Sequence, residues 1–169
     1  MYLSVNNKYA QFDSELAKSE KNDCVVRSVA SAADVAYNVA HKFCKDVFGR
    51  VDKRGTNNLF ITTEMLKAET SGIELEGKKF AVRVLGRGEI KNKYKLYGKV
   101  IFRKKTLKSF ISSHMTGTYL VMIANHALTV KDGEVYDWSA NRFKPTTKVC
   151  SAYELIEKEN KFGQLSLFE

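Results

Sequence analysis

Cys24, His126 and Asp137 are side chains of the three types that together break acyl bonds. A thiolate attacks a carbonyl carbon, an imidazole moves the protons, and a carboxylate holds the imidazole in the useful tautomer. A thiol becomes a good nucleophile where a helix N-terminus stabilises its negative charge through unpaired N–H groups. Cys24 is expected at such a place, because Asn22 or Asp23 can cap the helix that opens there. Asn22 is also a candidate second oxyanion donor beside the Cys24 backbone N–H, and Trp138 is placed to shield the histidine–aspartate hydrogen bond from water. This chemistry calls for no cofactor and no metal. His41 and Cys44 share a helix face at metal-ligand spacing, but no second pair completes a zinc site. Gly86-Arg87-Gly88 lacks the remaining glycine of a phosphate loop and is expected to be a turn.

The elements that must position these groups follow from the pattern around them. Cys24 to Ala33 is a small-residue helical stretch. A second helix is expected from Asp34 as cap, because Val35, Val39, Phe43 and Val47 recur every four residues before Gly49. Residues 50–58 are expected to be a loop, and 62–70 a third helix capped by Thr62 or Thr63. From Lys79 the pattern turns to strands, at 80–84 and 99–102, around a glycine-containing basic link. Thr106 can cap a short helix through Ser113, and the apolar run Thr118 to Ala124 has the composition of a central strand. His126 to Val130 and Glu134 to Trp138 then flank Asp132-Gly133, a pair suited to the positive φ of a tight turn. Antiparallel pairing across that turn returns Asp137 to the neighbourhood of His126. A lone cysteine opening a helix, or a lone histidine on a strand, is usually structural. The three residues in this order, with these surrounds, are what suggest a triad.

These segments carry a resemblance. Asn22-Asp23-Cys24-Val25-Val26-Arg27-Ser28-Val29-Ala30, Gly117-Thr118-Tyr119-Leu120-Val121, His126-Ala127-Leu128-Thr129-Val130 and Asp132-Gly133-Glu134-Val135-Tyr136-Asp137-Trp138 resemble small papain-like cysteine peptidases of phage and bacterial genomes. The resemblance implies an α+β, papain-like fold over residues 1–160, with an N-terminal helical lobe carrying the cysteine packed on an antiparallel sheet carrying histidine and acid. It implies a peptidase, isopeptidase or amidase acting on a protein or peptide substrate. Lys18 stands where papain has a glutamine six residues before the cysteine, and no glycine pairs with the cysteine.

The 169 residues suit a single core, with 44% hydrophobic and 28% charged residues. No run approaches the roughly 18 apolar residues of a membrane span, and the mixed-charge N-terminus is not of signal-peptide type. An intracellular, cytoplasmic protein is expected, with no membrane partner. Cys24, Cys44 and Cys150 make an odd count without paired spacing, which suits a reducing compartment. The net charge is +9 and the pI about 9.4. Between Lys78 and Lys108 the single acid is Glu89, so segment 78–108 carries the basic character and suits proximity to nucleic acid. It shows no aromatic-rich recognition motif.

Residues 161–169 are set apart as a C-terminal tail. Gln164-Leu165-Ser166-Leu167-Phe168 is similar to the linear peptide by which polymerases and other proteins dock on the bacterial DNA sliding clamp. The resemblance implies that Gln164 and Leu165 enter one part of a clamp pocket and that Leu167 and Phe168 fill another. Alternation also allows Leu165 and Leu167 to form the inward face of a last strand. Two functions follow: a papain-like peptidase directed to a host cell's replication machinery by its tail, or a non-catalytic papain-like protein that occupies the clamp and blocks replication.

Overall fold

Small side chains let a helix approach its neighbours on every side, and α2 (Cys24–Ala33) is buried continuously from Val25 to Ala33. In the computed structural model, which describes residues 3–138 and 144–159, this helix is the centre of the helical half. It is preceded by β1 (Val5–Asn6), a 3-10 turn (Asn7–Gln11) and the short helix α1 (Glu15–Ser19), and followed by α3 (Tyr37–Phe48) and α4 (Asn58–Ser71). Two expected helix starts are corrected. Asp34 does not cap α3 but ends α2 in a left-handed conformation, φ 50°, which its short polar side chain tolerates. Its carboxylate pairs with Lys8, and α3 begins after Ala36. The cap of α4 is Asn57, whose side chain accepts from the Leu59 N–H at 2.8 Å. Thr62 and Thr63 therefore lie inside that helix, and the Thr62 hydroxyl meets Tyr153 Oη.

The second half contributes β2 (Ile73–Leu75), β3 (Lys78–Val84), β6 (Thr118–Ile123), β7 (His126–Lys131), β8 (Glu134–Tyr136) and β9 (Ser151–Lys158). With β1 they form a seven-stranded sheet in the order β1-β8-β7-β6-β9-β3-β2. The expectation of an antiparallel sheet is corrected at one edge. β1 pairs parallel with β8, Val5 opposite Val135, so the fold is α+β with a mixed sheet. A parallel pair needs a long connection, and here residues 7–133 lie between the two strands. The β7–β8 turn has the expected positive φ, 47° at Asp132 and 79° at Gly133. The basic link contains α5 (Arg87–Ile90), for which Gly86 is the N-cap residue, and β4 (Lys91–Leu96). β4 pairs with β5 (Lys99–Lys104) in a separate two-stranded ribbon. Helix α6 (Leu107–Ser113) follows, its Thr106 cap accepting from the Ser109 N–H as expected.

The apolar run of β6 is explained by burial on both faces. Leu120 and Met122 join one core with α2, α3 and α4, while Tyr119, Val121 and Ile123 join another with Leu107, Phe110 and Ile111 of α6. Among the described residues no helix is long and apolar enough to cross a membrane. The tail motif Gln164 to Phe168 lies outside the described residues.

Candidate active site

Helix α2 and strand β7 meet at the site, and two polar pins fix one against the other. The Thr129 hydroxyl donates to the Ser28 carbonyl at 2.7 Å and lies 3.0 Å from Ser28 Oγ, all of it buried. Ser28 is one helical turn after Cys24, and Thr129 is on the strand that His126 opens. The second pin is Tyr9, fully buried, whose hydroxyl lies 2.5 Å from the Cys24 carbonyl oxygen and 2.8 Å from that of Ala127. Tyr9 thereby ties the residue that carries the thiol to the residue after the histidine. Burial, reinforced by the nearby acidic groups, pushes its hydroxyl well above the usual tyrosine range, so it stays a neutral donor.

Cys24 is the first residue of α2 and is half-buried. Asp23 is the N-cap residue, yet its side chain does not cap the helix. Its buried carboxylate accepts from Arg27 Nε and from the Tyr37 hydroxyl, each at 2.8 Å. The first-turn N–H groups therefore keep their positive end without a side-chain anion, beside the sulfur. Arg27 is itself buried and donates to the carbonyls of Tyr9, Phe12 and Ala17, so the helix start is locked from below.

His126 Nε2 lies 2.7 Å from Asp137 Oδ2. Asp137 is fully buried, and its Oδ1 accepts the Trp138 N–H at 2.7 Å. Its own N–H donates to the Asn6 carbonyl at 3.3 Å, so the parallel strand β1 supports the acid. Trp138 stacks on the His126 ring, centroids 5.6 Å apart, and meets Tyr9 edge-on at 5.0 Å. Burial alone lowers the pKa of His126, but hydrogen bonds to Asp137 and to Cys24, with their negative charges, outweigh it and hold the imidazole up at about 9. With Nε2 on the carboxylate, Nδ1 is the nitrogen left to exchange a proton with the thiol. Cys24, His126 and Asp137 thus meet at one place.

Asn22 is adjacent but engaged elsewhere. Its backbone is left-handed, φ 53°, and its amide donates to the Lys53 carbonyl at 3.3 Å. Sequence reasoning passed over the residues that build the wall here. The buried Arg50 guanidinium donates to Glu20 and to the carbonyls of Lys21, Asn22 and Arg54. Glu20, Asn22, Thr56, Asn125 and Trp138 are among the residues that line a cavity of about 870 Å³ over Cys24 and His126. That size admits a peptide segment or a comparable ligand. The local signal for the Asp23–Arg27 pair was its i, i+4 spacing. Tyr9 and Arg50 carried none.

His41 does not pair with Cys44 for metal binding. Cys44 is fully buried, and burial pushes its thiol up to about 12. His41 Nε2 instead lies 3.3 Å from Glu20 Oε1 and 3.6 Å from Asp52 Oδ1, with one ligand atom of each group within 4.8 Å of the others. Arg50 and Lys45 already neutralise the two carboxylates. The cluster is therefore an ion-pair brace behind the cavity wall. No family model matches the chain, and no curated protein or solved structure matches it significantly.

Proposed function

We propose that this chain is a papain-like cysteine hydrolase acting on peptide, isopeptide or related amide bonds. The observation that supports it most is a half-buried cysteine at an uncapped helix start, in one open cavity with a histidine whose Nε2 is 2.7 Å from a fully buried aspartate and whose pKa the cysteine helps to raise. Cys24 Sγ attacks the carbonyl carbon, and the oxygen that gains charge is met by the Cys24 N–H at the helix start. His126 gives its proton to the leaving amine as the C–N bond breaks, producing a thioester. It then takes a proton from water as that water attacks, which releases the carboxylic acid and restores the thiolate. Asp137 keeps the ring oriented and its positive charge compensated throughout.

The test uses p-nitrophenyl acetate, whose acyl group needs no specific pocket. A burst of p-nitrophenolate and an acetyl group on Cys24 by mass spectrometry are expected, both lost in Cys24→Ala and strongly slowed in His126→Ala. An unacylated Cys24, or a His126→Ala variant as fast as the parent, would overturn the reading.

A second reading has its own observation. The Asn22 amide is held by the Lys53 carbonyl, and Lys18 stands in the place of papain's glutamine, so neither supplies the side-chain half of an oxyanion hole. A papain-like scaffold without turnover, docked on the sliding clamp through Gln164 to Phe168, fits that arrangement. Clamp binding by a chain that fails the acylation test would select it.

A further inference from the structure

From Glu89 to Asp132 the chain contains no carboxylate between those two residues, and its most exposed part is the β4–β5 ribbon. The ribbon forms a sheet of its own, and every residue from Lys93 to Val100 is exposed. A strand pair that serves a core separates an apolar face from a polar one. This pair does not. Lys93 faces Phe102 and Lys95 faces Val100 across one side, while Tyr94 faces Ile101 and Leu96 faces Lys99 across the other. Each side therefore alternates cations with apolar or aromatic groups.

The tip carries the clearest signal. Tyr97 and Gly98 make the two-residue turn, with φ 47° and 77°. Left-handed backbone at a turn is the place of asparagine, aspartate or glycine, and an aromatic residue there is strained. Packing of the ring does not offset that strain, because Tyr97 is 95% exposed. A large aromatic group held in an unfavourable conformation, in open solvent among lysines, points to a contact outside the chain.

We infer that the β4–β5 ribbon binds single-stranded nucleic acid, with Tyr97 stacking on a base and Lys95 and Lys99 neutralising the flanking phosphates. The cations match a polyanion, and an exposed ring needs the free face of an unstacked base, which a duplex does not offer. The aromatic residues of this segment look scattered in sequence, and the hairpin brings Tyr94, Tyr97 and Phe102 onto one ribbon. The inference does not depend on the cysteine chemistry.

Fluorescence anisotropy of the full chain with a labelled oligothymidylate of about 20 nucleotides tests it. Affinity is expected to fall as salt rises, and Lys95→Gln and Lys99→Gln should each flatten the logarithmic salt dependence by about 0.7. Tyr97→Asn suits the left-handed turn, so the thermal midpoint should not fall while affinity drops by about tenfold. Absence of binding at low salt, an unchanged affinity of Tyr97→Asn, or preference for the matching duplex would overturn the proposal. So would binding to phosphatidylserine vesicles that the oligonucleotide cannot displace.

Discussion

At the scale of single residues, the protonation of His126 decides what the site can do. Held up at about 9 from an ordinary 6.5, the imidazole is charged at neutral pH, with Cys24 and Asp137 beside it. The raised value contributes folding stability that is complete below about 6.5 and lost as pH climbs through about 9. On the proposed mechanism the same limb governs turnover. Amide hydrolysis needs a proton for the leaving amine, so its rate is expected to fall through about pH 9, whereas alkylation by iodoacetamide needs only the thiolate and should not fall there. Asp137→Asn removes a hydrogen bond and a charge that raise the pKa while burial still lowers it, so the hydrolytic limb should move to lower pH; a stopped-flow pH profile checks both. Partial alkylation followed by mass spectrometry is expected to find Cys24 labelled well before Cys44, whose thiol is fully buried and pushed up to about 12. Equal labelling of the two in the folded protein would count against an activated nucleophile.

Among elements, the relation of α2 to β7 carries the geometry, and it depends on buried polar groups. Tyr9→Phe leaves the carbonyls of Cys24 and Ala127 without that hydroxyl, a loss of about 1–3 kcal/mol if both stay dry. Small displacements of a nucleophile from its base are costly, so the acylation rate should fall by about tenfold or more while KM changes little, read from single-turnover kinetics. Arg27→Ala strands the buried Asp23 carboxylate, and a loss of about 3–5 kcal/mol is expected in urea unfolding. The placement of Cys24, His126 and Asp137 was legible because each depends on local signals, a helix start and an Asp-Gly hairpin. Tyr9 was not, because its partners lie 15 and 118 residues away in the chain. β9 was missed for a similar reason: its residues pair with β3 and β6, distant in sequence, and no short turn announces it. The start of α4 was misplaced because Thr62 and Thr63 read as caps, whereas Asn57, inside the stretch expected to be a loop, makes the cap bond.

For the whole molecule, the remaining question is whether the tail resemblance reports a partner or a last piece of the core. Among the described residues the buried members of both core clusters run from Ala17 to Leu155, and Gln164 to Glu169 lie outside the described residues. On the docking proposal, deleting those six positions is expected to leave the thermal midpoint and Cys24 alkylation unchanged while abolishing binding to a bacterial sliding clamp. A linear peptide loses backbone freedom on docking, about 1–2 kcal/mol per residue, so affinity through the tail alone should be modest. The apolar anchors must supply the surplus. Phe168→Ala removes the largest of them, and a buried aromatic anchor typically contributes at least about 2 kcal/mol, so Kd should rise by about thirtyfold in surface plasmon resonance. Gln164→Ala should weaken binding less, since a single neutral hydrogen bond contributes about 1 kcal/mol. A truncated chain that melts many degrees lower would place Leu165 and Leu167 in the core, and the docking proposal would fall with it.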